Sequence, residues 1–155
     1  MADELFRLYQ DVVLDHNRTP RNYGRLEQAS HQGHGYNPLC GDRIDLMLEV
    51  VNGRIECVAF QGDSCAIATA SASLLTEVIQ GCRGSDATAL VESFRLALAG
   101  EDAALPKELE PLLAVRSFPS RVKCAKLPWA SLETALGSGE TATTDSSDSN
   151  GVAGR

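Results

Sequence analysis

Hydrophobic positions along this chain change period in a definite order. Leu5, Leu8, Val12 and Val13 recur at helical spacing and predict an amphipathic helix over residues 3–15. It should stop near His16-Asn17, because Thr19-Pro20-Arg21-Asn22-Tyr23-Gly24 follows with both helix breakers. Residues 28–41 are glycine-rich and read as irregular. From Arg43 the period becomes two: Ile44, Leu46, Leu48 and Val50 alternate with Arg43, Asp45, Met47 and Glu49, the pattern of a half-buried strand. Asn52-Gly53 suits the two positive φ angles of a type I′ hairpin, so residues 54–60 should return antiparallel. An Ala-, Ile- and Leu-rich helix is predicted from about Cys65 to Gln80, closed by Gly81.

Three more helical segments follow. Residues 85–99 place Leu90, Phe94 and Leu98 on one face, with Gly100 at the end, and residues 107–115 suit a short helix. The last helix starts at Ser120 or Arg121 and runs to Leu136, carrying Val122, Trp129 and Leu132. Pro128 within it is expected either to kink it or to delay its start. The expected fold is α+β, a small antiparallel sheet with helices packed mainly on one face, in one domain over residues 1–136. Residues 137–155 turn to Gly, Ser, Thr, Asp and Glu and read as a disordered acidic tail.

Composition narrows the function. A formal net charge of −7 argues against nucleic acid as a partner, since phosphate binding wants a basic face. No stretch has the apolar length of a membrane span, and Met1-Ala2-Asp3-Glu4 lacks the basic and apolar regions of a signal peptide. A cytoplasmic location is therefore expected, where cysteines serve metals or catalysis more often than disulfides. An odd count of 5 cysteines also fits a disulfide framework poorly.

Three of those cysteines stand among turns, caps and charges. Cys40 lies in Asn37-Pro38-Leu39-Cys40-Gly41-Asp42, where Cys40 and Asp42 can point to one side of an extended loop. Cys65 opens a helix, whose dipole and free N–H groups favour thiolate over thiol. Cys124 has Arg121, Lys123 and Lys126 close by, and cations lower a thiol pKa in the same way. Three thiolates and a carboxylate suit tetrahedral Zn²⁺, or equally a labile iron–sulfur cluster. Against this, the chain has no Cys-x-x-Cys pair, and Cys65 and Cys124 could simply pack in the core. Cys57, in the returning strand with Ile55 and Ala59, reads as a buried structural thiol, and Cys82 as a bystander in a turn. His31 and His34 form an H-x-x-H pair without a helical frame and read as solvated. His16 reads as an exposed residue or a favourable charge at a helix C-terminus, and the basic run at 121–126 admits a reading as a solvated helix face.

Taken together, these segments resemble a known family. Asn37-Pro38-x-Cys40-Gly41-Asp42 entering a strand, Gly62-x-x-Cys65-x-Ile67-x-x-Ala70-Ser71-Ala72-Ser73 opening a helix, and Tyr9…Asp15-His16-Asn17…Pro20-Arg21-Asn22-x-Gly24 are similar to the NifU/IscU-type iron–sulfur assembly proteins. The IscU scaffold branch has a His directly before its third Cys, where this chain has Lys123, and a shorter stretch between the second and third Cys. Both departures resemble the SufU branch. That resemblance implies a zinc-bound sulfur acceptor, or sulfurtransferase, working with a SufS-type cysteine desulfurase and feeding the downstream iron–sulfur assembly machinery. It implies Cys40, Asp42, Cys65 and Cys124 as zinc ligands, Cys40 as the persulfide-accepting thiol and Arg121 as a basic residue beside the site. The alternative is the scaffold role, with a transient iron–sulfur cluster on the same cysteines.

Overall fold

The structure, a computed structural model, describes residues 2–137 and 141–143. Helix α1 (Ala2–Arg18) is followed by strands β1 (His31–Asn37), β2 (Asp42–Val51) and β3 (Arg54–Gln61), then helices α2 (Ala66–Ile79) and α3 (Gly84–Leu98). A 3₁₀ helix (Lys107–Ser117), helix α4 (Pro119–Gly137) and a short strand β4 (Thr141–Thr143) complete the order. The sheet order is β3-β2-β1-β4, antiparallel except for β4, which runs parallel to β1. The fold is α+β, with the helices gathered over one sheet face. The segment expected to be a disordered tail thus contributes β4, and its other residues from 138 on lie outside the described ones.

The β2–β3 hairpin forms as its turn demands: Asn52 and Gly53 have φ of 53° and 81°. Ile44, Leu46 and Leu48 face the core beside Ile55, Val58 and Phe60, all nearly inaccessible. Here the structure corrects the expectation for Cys57. A bulge shifts the register, so that Glu49 pairs with Cys57 but Val50 pairs with Ile55. The extra residue, Glu56, inverts the face of everything after it. Val58 and Phe60 turn inward, and Cys57 lies half-buried on the outer face opposite Glu49.

The glycine-rich stretch before Cys40 also contains a strand the hydropathy did not show. β1 carries no apolar core residue because α4 lies directly on its backbone. A Cβ at Gly33 would overlap the Ser131 carbonyl, and one at Gly35 would overlap the Ser131 hydroxyl. That hydroxyl instead donates to the Ile44 carbonyl at 3.0 Å, tying α4 to β2. The strand conformation sends His31 and His34 to opposite faces, which rules out a shared ion. His34 Nδ1 lies 2.8 Å from Asp45 on the outer face, and His31 lies 2.8 Å from the Ser30 hydroxyl.

In α1 the buried stripe is Tyr9, Val13 and His16, whereas Leu8 is 49% exposed. His16 is therefore not an exposed terminal charge: it is 6% exposed and bonded to Ser73 of α2. Helix α4 runs unbroken through Pro128 and starts with Pro119, whose missing N–H costs nothing in a first turn.

Candidate metal centre

Four segments converge at one end of the sheet. Cys40 sits on the turn between β1 and β2, fixed at its base by Gly41 N–H donating to the Asn37 carbonyl at 2.7 Å and Leu39 N–H donating to the Asn37 side chain at 3.1 Å. Gly41 takes φ of +79°, which favours glycine, and has open space around it. Cys40 itself is exposed. Asp42 begins β2 and is 7% exposed.

Cys65 is the N-cap of α2, an unusual use of sulfur: its Sγ accepts from Ala68 N–H at 3.4 Å. Its own N–H donates to Asp42 Oδ1 at 3.1 Å, so the helix start and the carboxylate are placed by one bond. Cys124, early in α4, reaches the same place from the other side. The ligand atoms of Cys40, Asp42 and Cys124 all lie within 4.8 Å of one another. The Cys65 and Cys124 thiols lie near enough to perturb each other's ionisation, and Cys124 Sγ donates to the Ser120 carbonyl at 3.8 Å. The structure brings three of the four predicted ligands, Cys40, Asp42 and Cys124, within common reach of one ion, and Cys65 adjoins them through its bond to Asp42.

The electrostatics favour a cation. Interaction with the Cys124 thiol, aided by the Ala68 N–H, lowers the Cys65 thiol to about 7. Cys124 is pushed up by the same interaction with Cys65, by burial, and by the charges of Cys65, Asp42 and Cys40. Four acidic groups this close cannot all ionise without positive charge among them. Asp42 Oδ2 gives the same indication independently, being buried with no hydrogen-bond partner. A carboxylate oxygen left bare beside thiols fits a soft or borderline metal ion, and a mixed sulfur and oxygen set is one that Zn²⁺ accepts.

Arg121, three residues before Cys124, has its guanidinium carbon 6.0 Å from the centre of the Phe118 ring. Phe118 packs on Phe6 at 6.0 Å and Phe6 on Tyr9 at 5.8 Å, which brings α1 into the wall of the site. The Tyr9 hydroxyl is buried and makes no hydrogen bond of good geometry, though it lies close enough to Arg121, Cys65 and Cys124 to feel their charges. Sequence reasoning assigned Tyr9 nothing. Its helical offset of four from both Leu5 and Val13 would have placed it on the buried stripe, but not beside Arg121.

The fold is a small α+β domain with three candidate metal ligands, Cys40, Asp42 and Cys124, gathered at one end of its sheet. The chain belongs to the NifU-like N-terminal domain family, which residues 8–108 match, and within it to the IscU and SufU proteins of iron–sulfur cluster assembly. It is 37% identical over 136 residues to the iron–sulfur cluster assembly scaffold protein IscU of Streptococcus pyogenes serotype M1, covering 86% of this chain and 85% of that one. It is 36% identical over 129 residues to the zinc-dependent sulfurtransferase SufU of Bacillus subtilis strain 168, covering 81% and 87%. Among solved structures it resembles a proposed iron–sulfur assembly scaffold protein of the SUF system of Fervidobacterium islandicum AW-1. That match has a TM-score of 0.77 and 29% identity over 81% of this chain and 94% of that one. No helix among the described residues is long and apolar enough to cross a membrane.

Proposed function

We propose that this protein is a zinc-bound sulfur acceptor that takes persulfide sulfur from a SufS-type cysteine desulfurase onto Cys40. The observation that carries this reading is the asymmetry of the donor set. Asp42 is buried and Cys65 and Cys124 are half-buried on rigid elements, whereas Cys40 is exposed on a turn with free space at Gly41. A nucleophile that must meet a partner's persulfide needs that exposure and freedom. Zinc, when bound by Cys40, Asp42, Cys65 and Cys124, would keep the thiols ionised and shielded between encounters.

In the transfer, the Cys40 thiolate attacks the terminal sulfur of the desulfurase persulfide. The new S–S bond forms on Cys40, the old one breaks, and the desulfurase cysteine leaves as a thiolate. The proton on the transferred sulfur stays with it, so charge and atoms balance. Arg121 supplies positive charge beside the site, and Lys123 occupies the position where the scaffold branch carries a His. The similarity to the Bacillus subtilis protein supports the same reading.

The names of the Streptococcus pyogenes and Fervidobacterium islandicum relatives favour a second reading, a scaffold on which an iron–sulfur cluster is assembled on the same cysteines and handed on. Native mass spectrometry of anaerobically purified protein separates the two. One bound zinc, plus one sulfur gained with desulfurase and cysteine and absent in Cys40→Ala, is the expected result. A cluster mass without zinc, or sulfur uptake that survives Cys40→Ala, would overturn it.

A further inference from the structure

Among the described residues, two buried side-chain polar atoms lack a hydrogen bond, and both flank the same pair of thiols: Asp42 Oδ2 and the Tyr9 hydroxyl. A cation satisfies the first. It cannot satisfy the second, because a phenol whose oxygen already faces the Arg121 cation needs an acceptor for its proton. We propose that the Tyr9 hydroxyl is a hydrogen-bond donor held for the terminal sulfur of the Cys40 persulfide, which it receives together with the Arg121 guanidinium.

The surroundings are built for such a ligand. Tyr9 is 5% exposed, and its ring is held by Phe6, which also packs on Phe118, the ring against which Arg121 lies. With the phenol oxygen turned to the Arg121 guanidinium, the phenol proton and the remaining guanidinium N–H groups are left to donate, which selects an anion. A persulfide is more acidic than the thiol it came from, so once its proton passes to solvent the transferred sulfur is anionic. Cys40 lies within 4.8 Å of Cys124, and Tyr9 feels the charge of the same thiol, so Cys40 and Tyr9 have Cys124 as a common neighbour. An unpaired buried hydroxyl costs stability, and the role offsets that cost only while the sulfur is bound.

This inference rests on Cys40 being the sulfur acceptor, and the test separates the two. Full-length protein and Tyr9→Phe are loaded with a cysteine desulfurase and cysteine, freed of both, and challenged with cyanide. The half-life of the added sulfur is then followed by intact-mass spectrometry. Tyr9→Phe, which removes one oxygen and keeps the ring, should shorten the half-life about tenfold, the effect of one hydrogen bond to a charged acceptor. Zinc content should stay at the wild-type value and the melting temperature should hold or rise, since an unpaired buried hydroxyl is removed, whereas a merely structural role would lower it. Equal half-lives would overturn the inference, as would loss of zinc with sulfur retention unchanged. If Tyr9→Phe melts early, the comparison is made below its melt on the zinc-bound fraction. Failure of the wild type to take sulfur on Cys40 at all would refute the acceptor reading beneath it.

Discussion

Among the described residues, a buried polar cluster lies at each end of the stripe that α1 lays against α2, and the two are built on opposite principles. At the His16 end every group has a partner. Arg21 N–H donates to the Ser73 hydroxyl at 2.8 Å, and His16 Nδ1 lies 2.6 Å from the same oxygen. Thr76 donates to the Ser73 carbonyl at 2.7 Å and accepts from the Asn22 side chain at 3.0 Å. At the Tyr9 end a carboxylate oxygen and a phenol have none, and two neighbouring thiols perturb each other's ionisation. The closed cluster locks the Pro20-Arg21-Asn22 segment onto α2. The open one retains unused valences, which suit it to a metal and a sulfur that come and go. Partner count, more than residue type, separates the structural polar group from the chemical one.

Metal addition should expose this difference most strongly. Zinc at a thousandfold excess over its Kd should raise unfolding free energy by about 4 kcal/mol, reversed by a chelator, in thermal or urea melts. No shift would mean that the open cluster is not a metal site. Next comes Ser73→Ala, which strips partners from His16 and Arg21 at once and should cost about 2–3 kcal/mol in urea melts made in chelator. A change below half a kcal/mol would show that water replaces the lost bonds and that the cluster is not closed. Asp42→Asn should do the reverse. It keeps an acceptor for Cys65 N–H but removes a bare charge, so chelated protein should gain about 1 kcal/mol while zinc affinity falls at least tenfold. A loss of stability in chelator would show that the carboxylate serves the fold rather than the ion.

The same division explains what the sequence disclosed. The β2 alternation and Asn52-Gly53 are local signals, as are the Cys40-x-Asp42 turn and the helix start at Cys65, and all were readable. β1 was not, because Gly33 and Gly35 answer to α4, nearly a hundred residues away in sequence. Nor was the facing of Cys57, because one bulge residue inverts the strand period. Composition marked Cys124 as reactive, but spacing could not seat it against Cys65. Only the packing of α4 across the sheet does so. Tyr9 was on the page as a helical residue, and nothing local to it announced that its hydroxyl would be left unpaired.

The smallest expected effect concerns pH at the closed cluster. Burial, then the nearby Arg21 charge, lowers His16 below its ordinary value, with Glu77 and Asp15 opposing. Burial leaves the imidazole little water to solvate a charge, which favours the neutral ring. The folded state therefore binds this proton less readily than the unfolded chain, whose histidine titrates near 6.5. The stability that neutral His16 confers is complete above that pH and is lost as pH falls below it. One proton limits the slope to about 1.4 kcal/mol per pH unit. Urea melts in chelator between about pH 7.5 and 5 should show wild type losing stability faster than His16→Gln. Thiol and carboxylate titrations are common to both proteins, so their difference isolates His16. Parallel curves would mean that the ring tolerates its charge and that the cluster at this end is less closed than its distances imply.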